Sequence, residues 1–172
     1  MGFGRILLRA LPLALAAAGV SGCAGDRTGQ PTFYDSMASP SATVDAEAAA
    51  SMISGYRANN GLGAITVDPA LTSIALDRAR TMADHDKIDR AAGREFDSRL
   101  AGAGYNPRGA VENVGAGYHT LAEAFSGWRD SPSHRANMLK PGVNRLGIAA
   151  VYAPQSKYKV FWALIMASRD QG

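Results

Sequence analysis

The sequence predicts an α+β domain in which helices cover a small antiparallel sheet. Three observations carry this. Apolar residues recur at helical spacing through most of the chain, in segments bounded by capping and turn residues. Near the end, two almost continuous apolar runs, 146–152 and 158–166, are joined by a short loop containing Pro154, as in a buried hairpin. The chain has 172 residues, 47% of them hydrophobic, which suffices for one domain with a real core. Helices first and a hairpin last give helices packed on a sheet.

Residues 1–22 read as an export signal. Arg5 and Arg9 form a charged start, and residues 11–20 form an apolar core too short to span a bilayer. Val20-Ser21-Gly22-Cys23 resembles the lipobox of bacterial lipoproteins, in which the cysteine is lipidated and becomes the first mature residue. Cys23 is the single cysteine, so the exported domain carries no disulfide. Lipidated Cys23 would hold the protein on a membrane by acyl chains. Ala24 after it, rather than aspartate, fits the outer membrane facing the periplasm. The alternative is an ordinary cleaved signal and a soluble secreted product. Without Arg5 and Arg9 the formal charge falls from +3 to +1, and no basic run is interleaved with aromatics. Nucleic acid is therefore not an expected partner. Residues 23–43, rich in Gly, Ser, Thr and Pro, read as a flexible tether; its aromatics, Phe33 and Tyr34, either dock on the domain or have no role. The domain proper is placed at 44–170.

A first helix is expected over 44–59, with Val44, Ala48, Met52 and Tyr56 as its stripe and Ile53 beside them. Asn59-Asn60-Gly61 ends it, and 62–67 is a connector. Asp68-Pro69 opens a second helix as cap and first residue. Its buried stripe is Leu71, Ile74, Ala75, Ala79 and Met82, with Arg78 and His85 close by. His85 reads as a helix-end histidine whose ring packs, in preference to a ligand. A short helix at 95–101 turns Phe96 and Leu100 inward, and 102–109 is loop.

Residues 110–117 are apolar and glycine-rich around Glu112-Asn113. Two readings of Glu112 stand side by side: a carboxylate tied by backbone N–H groups in a turn, or a site carboxylate. If buried, it needs a partner or holds its proton to higher pH. Thr120 to Glu123 has capping-box spacing, and the helix it opens runs to about Trp128 with Leu121, Ala124 and Phe125 on the same face. His119, just before the cap, is expected to be exposed.

The densest stretch is Trp128 to Leu139, W-R-D-S-P-S-H-R-A-N-M-L. Ser131 can cap a helix that Pro132 begins. His134 then falls near the positive end of the helix dipole, which favours a neutral imidazole. Such a ring can bind a metal, act as a base or donate one hydrogen bond. Lys140-Pro141-Gly142 stops the helix.

Together these residues resemble the CAP superfamily, or SCP domain. The matching parts are Tyr56-Arg57 with Gly61-Leu62, Asp68 through Ala83, Arg99-Leu100 with Gly104-Tyr105, Glu112-Asn113-Val114, Trp128 with the run from Ser131 to Leu139, and Gly147. The resemblance covers about residues 44–168. It implies an α-β-α sandwich, adds a strand over 112–118 beside the hairpin, and brings Glu112 and His134 to a central cleft. Some family members line that cleft with two histidines and two glutamates and bind a divalent metal. Here Arg90 falls at the first histidine and Ser131 at the second glutamate. Glu112 and His134 remain as weak metal candidates, and two protein ligands are too few for a tight zinc site. Arg90 beside Glu112 would form a charge-assisted pair that discourages a cation. No cofactor is expected.

The cleft residues are thus Arg90, Glu112, Ser131, His134 and Asn137. A non-enzymatic binding module for a lipid, peptide or cell-wall ligand ranks first. A structural envelope protein, with Glu112, His134 and Asn137 as a buried polar network, ranks second. A hydrolase ranks third: Glu112 and His134 are the catalytic candidates, with Ser131 or Ser133 as nucleophile, but both serines are explained by helix entry and no G-x-S-x-G elbow is present.

Overall fold

The computed structural model describes residues 1–2, 29–89 and 93–169. Residues 3–22 of the expected export signal, Cys23 and Arg90 lie outside them. Among the described residues no helix is long and apolar enough to cross a membrane.

Among the described residues four strands form one sheet: β1 (Thr66–Val67), β2 (Val111–Ala116), β3 (Arg145–Tyr152) and β4 (Val160–Ala167), in the order β1-β3-β4-β2. β4 is antiparallel to both β2 and β3, so the three long strands give the expected antiparallel sheet. β1 adds a two-residue parallel pair at Arg145 and Leu146, inside the segment expected to be only a connector. Every residue of β4 is buried. This explains its unbroken apolar run: a central strand covered on both faces has no polar side to show.

The helices are α1 (Ala46–Ala58), α2 (Pro69–Asp84), α3 (Arg94–Gly102), α4 (Leu121–Asp130) and α5 (Pro132–Met138). Two cores sandwich the sheet. On one face Leu71, Ala75 and Met82 of α2 and Leu100 of α3 pack on Phe161, Ala163 and Ile165. On the other, Ile53 of α1 and Trp128 of α4 pack on Ile148, Trp162 and Leu164. Strand alternation sends successive residues of β4 to opposite cores. The result is the expected α+β sandwich.

α2 forms as its sequence predicts. Asp68 accepts hydrogen bonds from the Ala70 and Leu71 N–H groups at 2.9 and 3.1 Å, and Pro69 is the first helical residue. Its buried residues are Leu71, Ile74, Ala75, Ala79 and Met82. The helix lies so close on β3 that a Cβ at Gly147 would stand 2.0 Å from the Leu71 carbonyl carbon.

Four expectations are corrected. The buried side of α1 is Ala49, Ala50, Ile53 and Arg57, while Val44, Ala48, Met52 and Tyr56 are only half-buried along its margin. The face had to turn because Arg57 points inward. The described part of the expected tether docks on the domain: Met37 is buried, its N–H donates to the His119 carbonyl at 2.7 Å, and Phe33 packs on the α1–α4 core. His85 is the C-cap of α2 and is exposed, because the chain turns away there rather than folding over its ring. Ser131 occupies the cap position of α5 without a side-chain capping bond; its hydroxyl lies 3.4 Å from that of Ser133. By contrast, Thr120 does cap α4, accepting from the Glu123 N–H at 3.2 Å. The Glu123 carboxylate reaches back to the His119 N–H, one residue before the cap. His119 is exposed as expected.

Candidate functional site

The site forms where α2 and α5 meet the edge strand β2. Strand alternation turns Glu112 and Asn113 to opposite sides of β2. Asn113 faces α5 and its side-chain amide donates to the His134 carbonyl at 2.9 Å. Asn137, one helical turn beyond His134, donates to the Glu112 carbonyl and to the Asn113 side-chain oxygen, both at 2.9 Å. The bond to the Glu112 carbonyl satisfies one outward backbone group of the edge strand, and the three together fix α5 against it. The half-buried His134 is therefore held in place through its own backbone.

Glu112 faces α2. Its carboxylate accepts from Arg78 in two parallel bonds, Nε to Oε1 at 2.8 Å and Nη2 to Oε2 at 3.2 Å. The two side chains are only 10% and 9% exposed. Arg78 also donates to the Asp89 carbonyl at 2.8 Å and lies 3.4 Å from the Asp89 carboxylate. The carboxylate is tied by the Arg78 guanidinium, the kind of charge-assisted pair that the resemblance implies for Arg90, and not by backbone N–H groups. Burial raises the Glu112 pKa from its ordinary value, and the Arg78 hydrogen bond and charge offset only part of that rise. Burial disfavours the Arg78 cation, but Glu112 first and Asp89 next outweigh it and raise its pKa.

Beside this pair a cleft of about 190 Å³ opens between α2 and α3. Its lining includes Arg78, Asp77, Thr81, Asp89, Phe96 and Arg99. Asp77 is paired with Arg99, which also donates to Glu95 at 2.8 Å. The cleft thus has a mixed-charge rim and an aromatic wall, and Arg78, which holds Glu112, is part of its lining.

The fold and these residues invite comparison with known proteins. The sequence matches the model of the cysteine-rich secretory protein (CAP) family over residues 50–166. The chain belongs to this family. It is 29% identical over 98 residues to the uncharacterized protein YkwD of Bacillus subtilis (strain 168), covering 55% of this chain and 38% of that one. The chain thus spans well under half the length of that relative. The structure is similar to an outer surface protein from Borrelia burgdorferi, with a TM-score of 0.63 and 18% identity over 73% of this chain and 93% of that one. It is also similar to an extracellular SCP-domain protein from Bacillus anthracis str. Ames, with a TM-score of 0.58 and 19% identity over 70% and 39% of the two chains. A cysteine-rich secretory protein from Staphylococcus aureus subsp. aureus Mu50 gives a TM-score of 0.57 and 15% identity over 71% and 37%. At these identities the structural likeness is one of fold.

Within this CAP domain the structure brings Glu112, Asn137 and the backbone of His134 together. Ser131 is half-exposed at the start of α5, and Arg90 lies outside the described residues. The guanidinium found on Glu112 is that of Arg78. A sequence signal for it exists: Arg78 sits among Ile74, Ala75, Ala79 and Met82 on the buried stripe of α2, where a lone cation needs a buried anion. Among the described residues no three His, Cys, Asp or Glu side chains converge, and the buried Glu112 carboxylate is already bound by Arg78.

Proposed function

We propose that this protein is an exported, lipid-anchored CAP domain that binds a lipid, peptide or cell-wall ligand without catalysis, in the cleft beside Glu112 and His134. The observation that carries this reading is the two-bond Arg78–Glu112 pair. A general base or metal ligand needs an available carboxylate, and this one is neutralised by a buried guanidinium. What the pair offers is a fixed dipole at the end of a partly apolar cleft, suited to orienting a ligand. Export is supported by the apolar N-terminal run and by the extracellular and outer-surface descriptions of the structurally similar proteins. The anchor is assigned to Cys23.

The readout is saturable binding of fatty-acid vesicles, tripeptides and muropeptide fragments to the purified protein, compared with Glu112→Ala and His134→Ala. Loss of binding with folding intact in both variants supports the module. Equal loss of stability in both, with binding unaffected, favours a structural role, for which the Asn113–Asn137 network is the specific observation. Turnover of an ester, peptide or glycan substrate that vanishes in both would replace the reading with a hydrolase. Zinc titration is expected to show no stoichiometric submicromolar site. Cys23→Ser is expected to move the protein from the membrane to the soluble fraction.

A further inference from the structure

A second surface lies across α2 from this cleft, at the opposite edge of the sheet. β1 pairs with β3 at Arg145 and Leu146 and then ends. Among the described residues, positions 147–152 of β3 have no strand on the side away from β4. The Asp68 N–H donates to the Leu146 carbonyl across this edge, whereas the Ala153 N–H donates to Lys159 across the hairpin. Even-numbered residues of β3 therefore turn their backbone groups outward. By alternation those of Ile148, Ala150 and Tyr152 present a row of donors and acceptors about 13 Å long.

Soluble proteins usually blunt such an edge with lysine, proline or a bulge. Residues 146–152, L-G-I-A-A-V-Y, contain no charge and no proline. The edge instead forms the floor of a groove of about 370 Å³. One wall is the segment carrying Ser39 and Thr43; the other is the face of α2 carrying Thr72, Leu76 and Arg80. The walls choose the occupant. A second copy would bring its own pair of walls against these, so its edge would not reach the floor, but a single extended chain fits between them. Arg80 adds charge selection: its side chain is 59% exposed, and its ion-pair partner Asp77 is 3.9 Å away and itself exposed.

We propose that the open edge of β3, residues 147–152, is a strand-addition site for an extended peptide bearing an acidic side chain opposite Arg80. Main-chain hydrogen bonds would supply the affinity, as in other strand-addition complexes, and the apolar groove would select small or β-branched side chains.

The test uses the full chain and a synthetic blocked hexapeptide of alternating threonine and valine with one glutamate. In the free protein the amides of Ile148, Ala150 and Tyr152 should exchange with deuterium faster than those of Ala149 and Val151. Peptide should bind saturably and slow those three. N-methylation of alternate peptide residues, on the edge facing β3, should weaken binding about tenfold or more, because each methyl removes a main-chain donor. Arg80→Glu should weaken the glutamate peptide severalfold and strengthen its lysine counterpart. Four results overturn the proposal: amides already slow in the free chain, which means the groove is filled by the protein itself; equal binding of the N-methylated peptide; edge protection that depends on protein concentration and so reports a dimer; or no binding at millimolar peptide. None of these touches the Glu112 cleft, so this inference and the proposed function can fail separately.

Discussion

Arg78 and Glu112 show how one pair decides what a site can do. Two ions about one-tenth exposed stay together because separating them leaves a buried charge uncompensated. Arg78→Met is therefore expected to cost about 3 kcal/mol in urea unfolding, while the double variant Arg78→Met/Glu112→Leu recovers most of that loss. A double-variant cost equal to the sum of the two single costs would show that the pair is not coupled. The pH dependence has a definite sign. Glu112 has a raised pKa in the folded protein, so the folded state binds its proton more tightly than the unfolded state. The contribution is then fully present below the ordinary value of 4.5 and is lost as pH rises through the raised folded value. Comparing wild type with Glu112→Gln from pH 4 upward should show the wild type losing ground as pH increases. A difference that is flat, or that grows in favour of the wild type, would contradict the assignment. The same pair explains why sequence pattern only half disclosed the site. Glu112 stands out as a carboxylate between valines, but its partner is 34 positions away and emerges only when α2 is laid on the sheet.

At the scale of elements, legibility followed amphipathicity. α2 carries a cap, a first-position proline and an uninterrupted stripe, so its bounds and buried face could both be read. α1 could be located but not oriented. Its four-residue repeat of Val44, Ala48, Met52 and Tyr56 competes with a second set, Ala49, Ala50 and Ile53, of almost equal apolarity. What decides between them is a buried arginine, which a hydrophobic pattern scores as surface. β1 was unreadable because two residues hold no period; it exists because Asp68 bonds to Leu146 and pulls the chain alongside β3. The α2–β3 contact also gives the sharpest test of packing. At Gly147 a methyl group would meet Leu71 and Thr72 backbone, which cannot swing aside as a side chain can. Gly147→Ala is expected to cost about 3 kcal/mol, at the upper end of overpacking penalties, and to loosen α2 from the sheet. Thermal unfolding together with amide exchange along α2 checks this; a loss under about 1 kcal/mol would mean that the helix shifts freely.

Across the whole molecule, segments up to 86 positions apart converge on Arg57. It is 2% exposed and donates four hydrogen bonds, all to backbone carbonyls: Nε to Gly63 at 2.9 Å, Nη1 to Met138 at 2.9 Å and to Lys140 at 3.0 Å, and Nη2 to Val143 at 3.1 Å. Burial lowers its pKa from the ordinary guanidinium value. The carbonyls partly compensate, because the Met138 oxygen lies at the C-terminal end of α5, where unpaired carbonyls carry partial negative charge. One side chain thus joins the end of α1, the turn before β1, the end of α5 and the turn before β3. The last of these leads into the edge proposed for strand addition, and α5 carries His134, so both surfaces depend on this junction. Arg57→Met keeps the apolar stem and removes every donor. It should cost about 3 kcal/mol or more, since several inward carbonyls lose their partner together. Arg57→Lys should recover less than half of that, because a single ammonium cannot span carbonyls that a planar fork reaches from three nitrogens. The local readout is amide exchange near 139–144, which should quicken more than exchange in the core of β4. If Arg57→Met unfolds at the same urea concentration as the parent, the junction is held by the flanking apolar contacts and the arginine is incidental to it.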